Sequence, residues 1–448
     1  MTTSDGALDL LADLIRRARR AGADAADAVL VGSAAISHAR RLGKLEKLER
    51  AESRDLGLRV LIGKRQAIVA TNDTDAKALD ELVARAVAMA RVVPEDPFCG
   101  LADPDQIFKG KAPELDLNDP AEPATERLIE LAQAAEDAAM AVKGVTNSEG
   151  AEAGWSRSSV AMAASNGFAG SYAVSRHSLS VSVLAGEGTG MERDYDFSSV
   201  VHAADLDDAA TLGKAAGERA VKRLNPRKVN TVSVPIVYDR RIAGGLIGHL
   251  SGAISGPAIA RGTSFLKDRL GQAVFASGVT ITDDPHRRRG LRSKPFDGEG
   301  IANAKRAIVE EGVLTTWLLD LRSARQLKMA TTGHAARGIG GPPSPAPSNL
   351  YLEPGPLAPD QLMADIKEGF LVTELMGSGV NGVTGDYSRG ATGFWIENGR
   401  PAYPVSEVTI AGNLKEMYPR LTPASDLEFR YGTDAPTLRV EGMTIAGK

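Results

Sequence analysis

In the first half of the chain, apolar residues recur at helical spacing in several stretches and alternate with polar ones between them. Leu8, Leu11, Ile15 and Ala18 lie three or four residues apart and Gly22 follows as a stop, which predicts an amphipathic opening helix. Leu56 to Ile62 and Gln66 to Ala70 are β-rich runs joined across Gly63-Lys64, the pattern of a tight hairpin. A helix from about Thr74 to Val93 then ends before Pro94.

From Asn118 the order restarts. A helix runs through Leu128, Leu131, Ala135 and Met140, and strands around Val160 to Ala164 and Phe168 to Val174 join across Asn166-Gly167, a strong hairpin signal. Ser178 to Leu184 alternates as a further strand, and a helix from Asp205 to Leu224 closes the unit. Element order alone therefore predicts an N-terminal α/β domain of duplicated helix–strands–helix units, although the two units do not align residue by residue.

Asn225-Pro226-Arg227-Lys228 is a polar break before the apolar run Val232 to Tyr238, which places a domain boundary between 1–225 and 226–448. The second half reads as β-rich. Hairpins are expected around Glu311-Gly312, Asn398-Gly399 and Glu441-Gly442, giving an α+β chain whose C-terminal domain is a curled sheet or barrel with a few helices packed on it. The Gly/Pro-rich stretch Gly333 to Asn349 reads either as an ordered loop lining a cleft or as a mobile lid.

With 448 residues, two domains are the default. The formal net charge of -4 gives no electrostatic footprint for nucleic acid, so no such contact is expected. A single cysteine, Cys99, excludes an intrachain disulfide and a Cys-based zinc cluster, and fits a reducing compartment. The N-terminal residues show neither a basic region nor an apolar stretch of the signal-peptide kind, so a cytoplasmic location is expected. Ile242 to Ala260 is uncharged, but its five glycines, His249, two serines and Pro257 make it a buried helix rather than a membrane span.

The four-residue spacing of Gly244, Gly248, Gly252 and Gly256 puts small residues along one face of that helix. Each glycine costs about 1 kcal/mol relative to alanine, so either close core packing or a face bordering a cavity or partner has to offset it. His249 is the only titratable side chain there. A zinc-peptidase helix needs two imidazoles about one turn apart and a carboxylate beside them. The six histidines, His38, His177, His202, His249, His286 and His334, are scattered, and no His-Glu-x-x-His pair occurs. Gly-x-Ser-x-Gly and P-loop patterns are absent as well. Asp283-Asp284 and Glu310-Glu311 read as solvated turns, and Arg287-Arg288-Arg289 as an exposed loop or a grip for an acidic partner surface.

Four strings carry a family resemblance. They are Gly244 to Leu250 running on to Ala260-Arg261-Gly262-Thr263-Ser264-Phe265-Leu266, then Pro347 to Leu352, then Gly393 to Gly399, and Ala402 to Val405 leading to Thr409 to Leu414. Together they resemble the TldD/TldE family over nearly the whole chain, and within it the TldE (PmbA) branch. In that family TldD carries a His-Glu-x-x-x-His helix and a later cysteine that bind the metal. Counted back from Arg261-Gly262-Thr263-Ser264, Ile247, Gly248 and Gly252 occupy the first His, the Glu and the second His, and no thiol follows Cys99.

The resemblance implies a chain with no catalytic or metal-binding residue of its own, zinc being expected only in a TldD-like catalytic partner. It implies a heterodimer enclosing a chamber for proteolysis or maturation of unfolded or modified peptides. Candidate chamber residues are His249, Gly252, Arg261, Asn349, Arg389 and Trp395. Each also has a packing explanation: Trp395 in the core, Arg389 paired with Asp386, Asn349 capping a turn. Two rival readings are a stand-alone hydrolase using His249 or His334 with a serine or carboxylate, and a homodimeric peptide-binding or regulatory protein. Neither nucleic acid nor membrane is an expected partner.

Overall fold

The computed structural model describes residues 4–447. The duplicated order is present in its first half. One unit comprises α1 (Ser4–Arg20), β1 (Ala25–Arg41), β2 (Lys44–Ile62), β3 (Arg65–Thr71) and α2 (Ala76–Val92). The other comprises α3 (Thr125–Met140), β4 (Val145–Ala164), β5 (Ala169–Ala185), β6 (Glu192–Val200) and α4 (Ala209–Lys222). All six strands form one antiparallel sheet in the order β3-β2-β1-β4-β5-β6, so the units meet through their first strands, β1 and β4.

Alternation explains how the helices sit. Leu56, Leu58 and Val60 of β2 pack against α1 and α2, while Leu179, Val181 and Val183 of β5 pack against α3 and α4. Each such buried side chain contributes roughly 1.5–3 kcal/mol, and a one-residue slip would turn the whole set toward solvent. Two strand readings change. Ser178 to Leu184 is the continuation of β5 rather than a separate strand, and β1 and β6 complete the three-stranded meanders.

The second half contains β7 (Val232–Tyr238), α5 (Arg240–Ala253), α6 (Gly256–Ala260), β8 (Ile281–Asp284), β9 (Arg306–Glu310), β10 (Val313–Leu314) and α7 (Leu321–Leu327). There follow β11 (Ala335–Ala336), β12 (Ser344–Pro345), β13 (Asn349–Leu352), β14 (Glu368–Val380), β15 (Asp386–Glu397), β16 (Arg400–Asn413), β17 (Leu421–Pro423), β18 (Thr433–Asp434) and β19 (Leu438–Ala446). Strands pair in the order β16-β15-β14-β7-β19, and β19 also pairs with β16, which closes a five-stranded barrel. Ile236, Phe370, Trp395, Val405 and Ile445 fill it, with Leu246, Ile247 and Leu250 of α5 in the same core. A smaller sheet runs β10-β9-β8-β13-β18.

The turns at Glu311-Gly312 and Asn398-Gly399 are hairpins whose residues take positive φ. Glu441-Gly442 is not. There β19 continues through a register shift between Val440 and Met443, so the left-handed Gly442 makes a bulge inside one strand. The uncharged stretch from Ile242 also divides, with α5 ending at Ala253 and α6 beginning at Gly256. Among the described residues no helix is long and apolar enough to cross a membrane. The stretch Gly333 to Asn349 is tied down by the β11–β12 pair and crosses the N-terminal sheet, where the Ile339 carbonyl lies 2.2 Å from the point a Cβ on Gly57 would occupy.

Candidate functional site

Helix α5 starts immediately after β7, and the Asp239 carboxylate caps it by accepting from the Arg241 N–H at 2.9 Å. Its buried face is Ala243, Leu246, Ile247, Leu250 and Ala253. The glycines divide into two kinds. A Cβ on Gly244 would lie 2.5 Å from the Thr433 carbonyl, so this glycine is required by close approach to β18. Gly245, Gly248 and Gly252 are exposed, and a Cβ on any of them would meet nothing within 4 Å. Spaced three and four residues apart, they form a bare stripe along the outside of the helix. No packing within this chain offsets their helix-propensity cost.

His249 is partly buried between this stripe and the barrel. Its ring meets Tyr387 edge-on at 6.0 Å, and burial, with Arg389 nearby, lowers its pKa below the usual histidine value. Both effects favour the neutral imidazole. Among the described residues no group of three or more His, Cys, Asp or Glu side chains is placed to hold a metal ion. The positions that would carry donors on a zinc-peptidase helix are Ile247, buried in the core, and the two side-chain-free glycines 248 and 252. The residues present do not fit a catalytic zinc site.

The remaining predicted residues do not converge on one site. Arg389 lies near His249, but its Nε donates to the Met376 carbonyl at 3.2 Å, not to Asp386. The two are three apart along β15 and so face opposite sides; Asp386 instead accepts from Thr384 and Asn413. Trp395 is buried in the barrel core. Asn349 is buried on β13, where its side chain accepts from the Arg292 N–H and donates to the Asp284 carbonyl and Ser293 Oγ, holding the 284–293 loop against the sheet. Arg261 caps the short α6 and is exposed.

His334 does have an acid and a serine beside it, in an arrangement unsuited to nucleophilic catalysis. Ser348 Oγ donates to Asp283 at 2.6 Å, and His334 Nε2 approaches the same carboxylate at 3.3 Å, so the hydroxyl engages the acid rather than the base. All three are buried. This corrects the reading of Asp283 as a solvated turn residue; it sits on β8 at 1% exposure. The arginine run lies on a loop where Arg288 is exposed, and it engages groups of this same chain, Arg288 and Arg289 on Asp116, Arg289 also on Asp205, and Arg287 over the Phe429 ring.

One polar constellation escaped the sequence reading. A cleft of about 980 Å³ opens between the α4/β6 edge of the N-terminal sheet and the barrel, lined in part by Arg219, Arg223, Arg241, Phe394 and Tyr403. At its base Asp194 is 2% exposed and takes Arg241 at 2.9 Å and Arg219 and Arg223 at 3.3 Å; Arg223 also holds Glu374 of β14. These arginines hold the Asp194 carboxyl below its ordinary pKa despite burial. The charges are far apart in sequence, and no local motif announces them.

A six-stranded sheet backed by two helix pairs, and a closed five-stranded barrel with α5 packed into its core, define the α+β fold. Family models described as the PmbA/TldA metallopeptidase domain 1, central domain and C-terminal domain match residues 26–90, 118–224 and 231–447. The chain belongs to this PmbA/TldD metallopeptidase family. It is 39% identical to the metalloprotease PmbA of Escherichia coli O157:H7, covering 95% of this chain and 93% of that one. Identity to a PmbA homolog of Haemophilus influenzae is 37%, covering 97% and 94%. Among solved structures, a Bacteroides thetaiotaomicron protein described as a candidate modulator of DNA gyrase superposes with TM-score 0.92 at 29% identity over 100% of both chains. TldE from Thermococcus kodakarensis shares the fold, with TM-score 0.88 at 20% identity over 98% of this chain and 100% of that one.

Proposed function

We propose that this chain is the subunit without a zinc site in a TldD/TldE-type peptidase complex, of the TldE (PmbA) branch, acting with a TldD-like catalytic subunit on unfolded or modified peptides. The observation that carries the reading is the outer stripe of α5. Its glycines leave a helix face with neither metal donors nor side chains, open to solvent and uncompensated inside the chain. Closure by another subunit supplies the missing packing and leaves room for an extended peptide, whose backbone can be held without strong sequence preference. The metalloprotease name of the relatives fits this chain as a component of such an enzyme rather than as the bearer of its metal.

The test is reconstitution in the cytoplasmic-type reducing buffer that a lone buried cysteine suits. The chain is mixed with a TldD-like subunit and a flexible peptide is added. A complex of both chains that cleaves, while this chain alone does not, supports the reading; persistence of the two subunits as separate species contradicts it.

A further inference from the structure

The cleft between α4 and the barrel holds more charge than its base consumes. Arg219, Arg223 and Arg241 are taken up there by Asp194, Asp196 and Glu374. Lys222, in the last turn of α4, and Arg400, at the start of β16, also line the cleft and are exposed. Among the described residues neither side chain has an ion pair or a hydrogen bond. The lining carries three carboxylates. Asp194 is neutralised by its arginines and Asp239 caps α5, which leaves Asp360, exposed in the short helix Pro359–Met363. Two free cations therefore face one free carboxylate.

The wall beside these cations is apolar, with Leu371, Phe394 and Tyr403 on it, and the Arg227 guanidinium lies over the Tyr403 ring at 4.4 Å. The same wall includes a strand edge. From Arg400 to Tyr403, β16 pairs with β15 on one side, while β19 and the segment at Arg227 meet β16 only from Pro404 onward. An extended chain can lie along such an edge. Pro401 and Pro404 remove two of its N–H donors, so a backbone ladder there is incomplete and charge and apolar contact have to supply the rest.

These features select among ligands. A cleft of about 980 Å³ is at the upper end of the roughly 300–1,000 Å³ usual for small-ligand sites, which leaves room for a peptide end. A surplus of one positive charge matches a single carboxylate, whereas a polyphosphate would find too few unpaired cations. We propose that this cleft captures the C-terminal carboxylate of an extended peptide with apolar final side chains. Lys222 and Arg400 take the carboxylate, and Phe394 and Tyr403 take the last side chain. The proposal rests on the peptide-handling reading above for its choice of ligand, and it assigns the binding to this chain alone.

The test measures binding of Gly-Ser-Ala-Leu-Phe, labelled at its N-terminus, to the full chain by fluorescence anisotropy, once with a free C-terminal carboxylate and once as the amide. Because no catalytic subunit is present, failure here is separate from failure of the assembly. The free acid is expected to bind at least about tenfold more tightly than the amide. Lys222→Gln combined with Arg400→Gln should abolish that difference, and Asp360→Asn should tighten binding of the acid about twofold or more by removing a like charge. All three positions are exposed, so the variants should fold as the native chain does, which circular dichroism checks. Equal binding of acid and amide overturns the proposal, as does an acid preference that survives the double variant or the absence of binding at millimolar peptide. Displacement of the labelled acid more readily by inorganic triphosphate than by unlabelled acid also overturns it, assigning the cleft to a polyphosphate.

Discussion

His249 and Tyr387 meet edge to face, their ring centroids 6.0 Å apart, so the histidine of α5 is turned against the barrel rather than held among metal-donor side chains. Burial keeps its folded pKa below the value near 6.5 of an unfolded histidine. Between the two values the unfolded chain takes up a proton that the folded chain refuses, so stability is lost as pH falls below about 6.5. His249→Phe keeps the ring contact and removes this dependence. Denaturant midpoints at pH 7.5 and 5.5 should differ less for the variant than for the native chain; an equal difference would show the imidazole titrating freely.

The glycines of α5 predict opposite outcomes four residues apart. Gly248→Ala and Gly252→Ala meet no obstacle and should each stabilise the isolated chain by about 0.5–1 kcal/mol. Gly244→Ala drives a methyl into the Thr433 carbonyl and should lower the melting temperature. The two stabilising variants should also weaken association with a TldD-like subunit, because that is where the bare stripe is needed. Unchanged association would detach the stripe from the interface.

Asp194 gathers three arginines from α4 and α5 at the junction of sheet and barrel. Asp194→Ala removes the buried carboxylate that the three guanidinium groups share, leaving Arg219 on Asp196 and Arg223 on Glu374, and should cost about 3 kcal/mol, measured by urea unfolding. A loss within the roughly 0.5 kcal/mol typical of surface sites would mean that the cleft is supported elsewhere.

Glu299 supports the start of α7 by accepting from the Leu321 N–H at 2.8 Å, and burial, reinforced by Asp297, pushes its carboxyl up to about 8. The folded state holds a proton that the unfolded state releases near 4.5, so this group makes the chain less stable as pH rises from about 4.5 to about 8. Glu299→Gln keeps an acceptor and should flatten that decline. A steeper decline in the variant would reverse the sign and refute the assignment.

Legibility in the sequence followed side-chain type. Hairpins with Asn-Gly at the turn, and helices with leucine at helical spacing, were readable because local geometry dictates the residues. Strand β1 was not, since its inward positions include Ala26, Ala28 and Ala34, small residues with weak strand preference. β6 hides for another reason: its inward residues Asp194 and Asp196 are charged and are satisfied by arginines distant in sequence. Gly442 looked like a turn because a bulge and a turn ask the same left-handed backbone of glycine. The stripe on α5 was legible as spacing, but which glycines are crowded and which are bare depends on β18, whose position no local pattern reveals.

The account stands on α5 being unable to hold a catalytic metal, and the most direct measurement is the zinc content of the purified chain after dialysis against zinc, read together with cleavage of an unstructured peptide. Far less than one zinc per chain, with no cleavage until a TldD-like subunit is added, is the predicted result. One tightly held zinc per chain together with cleavage by the chain alone would contradict it.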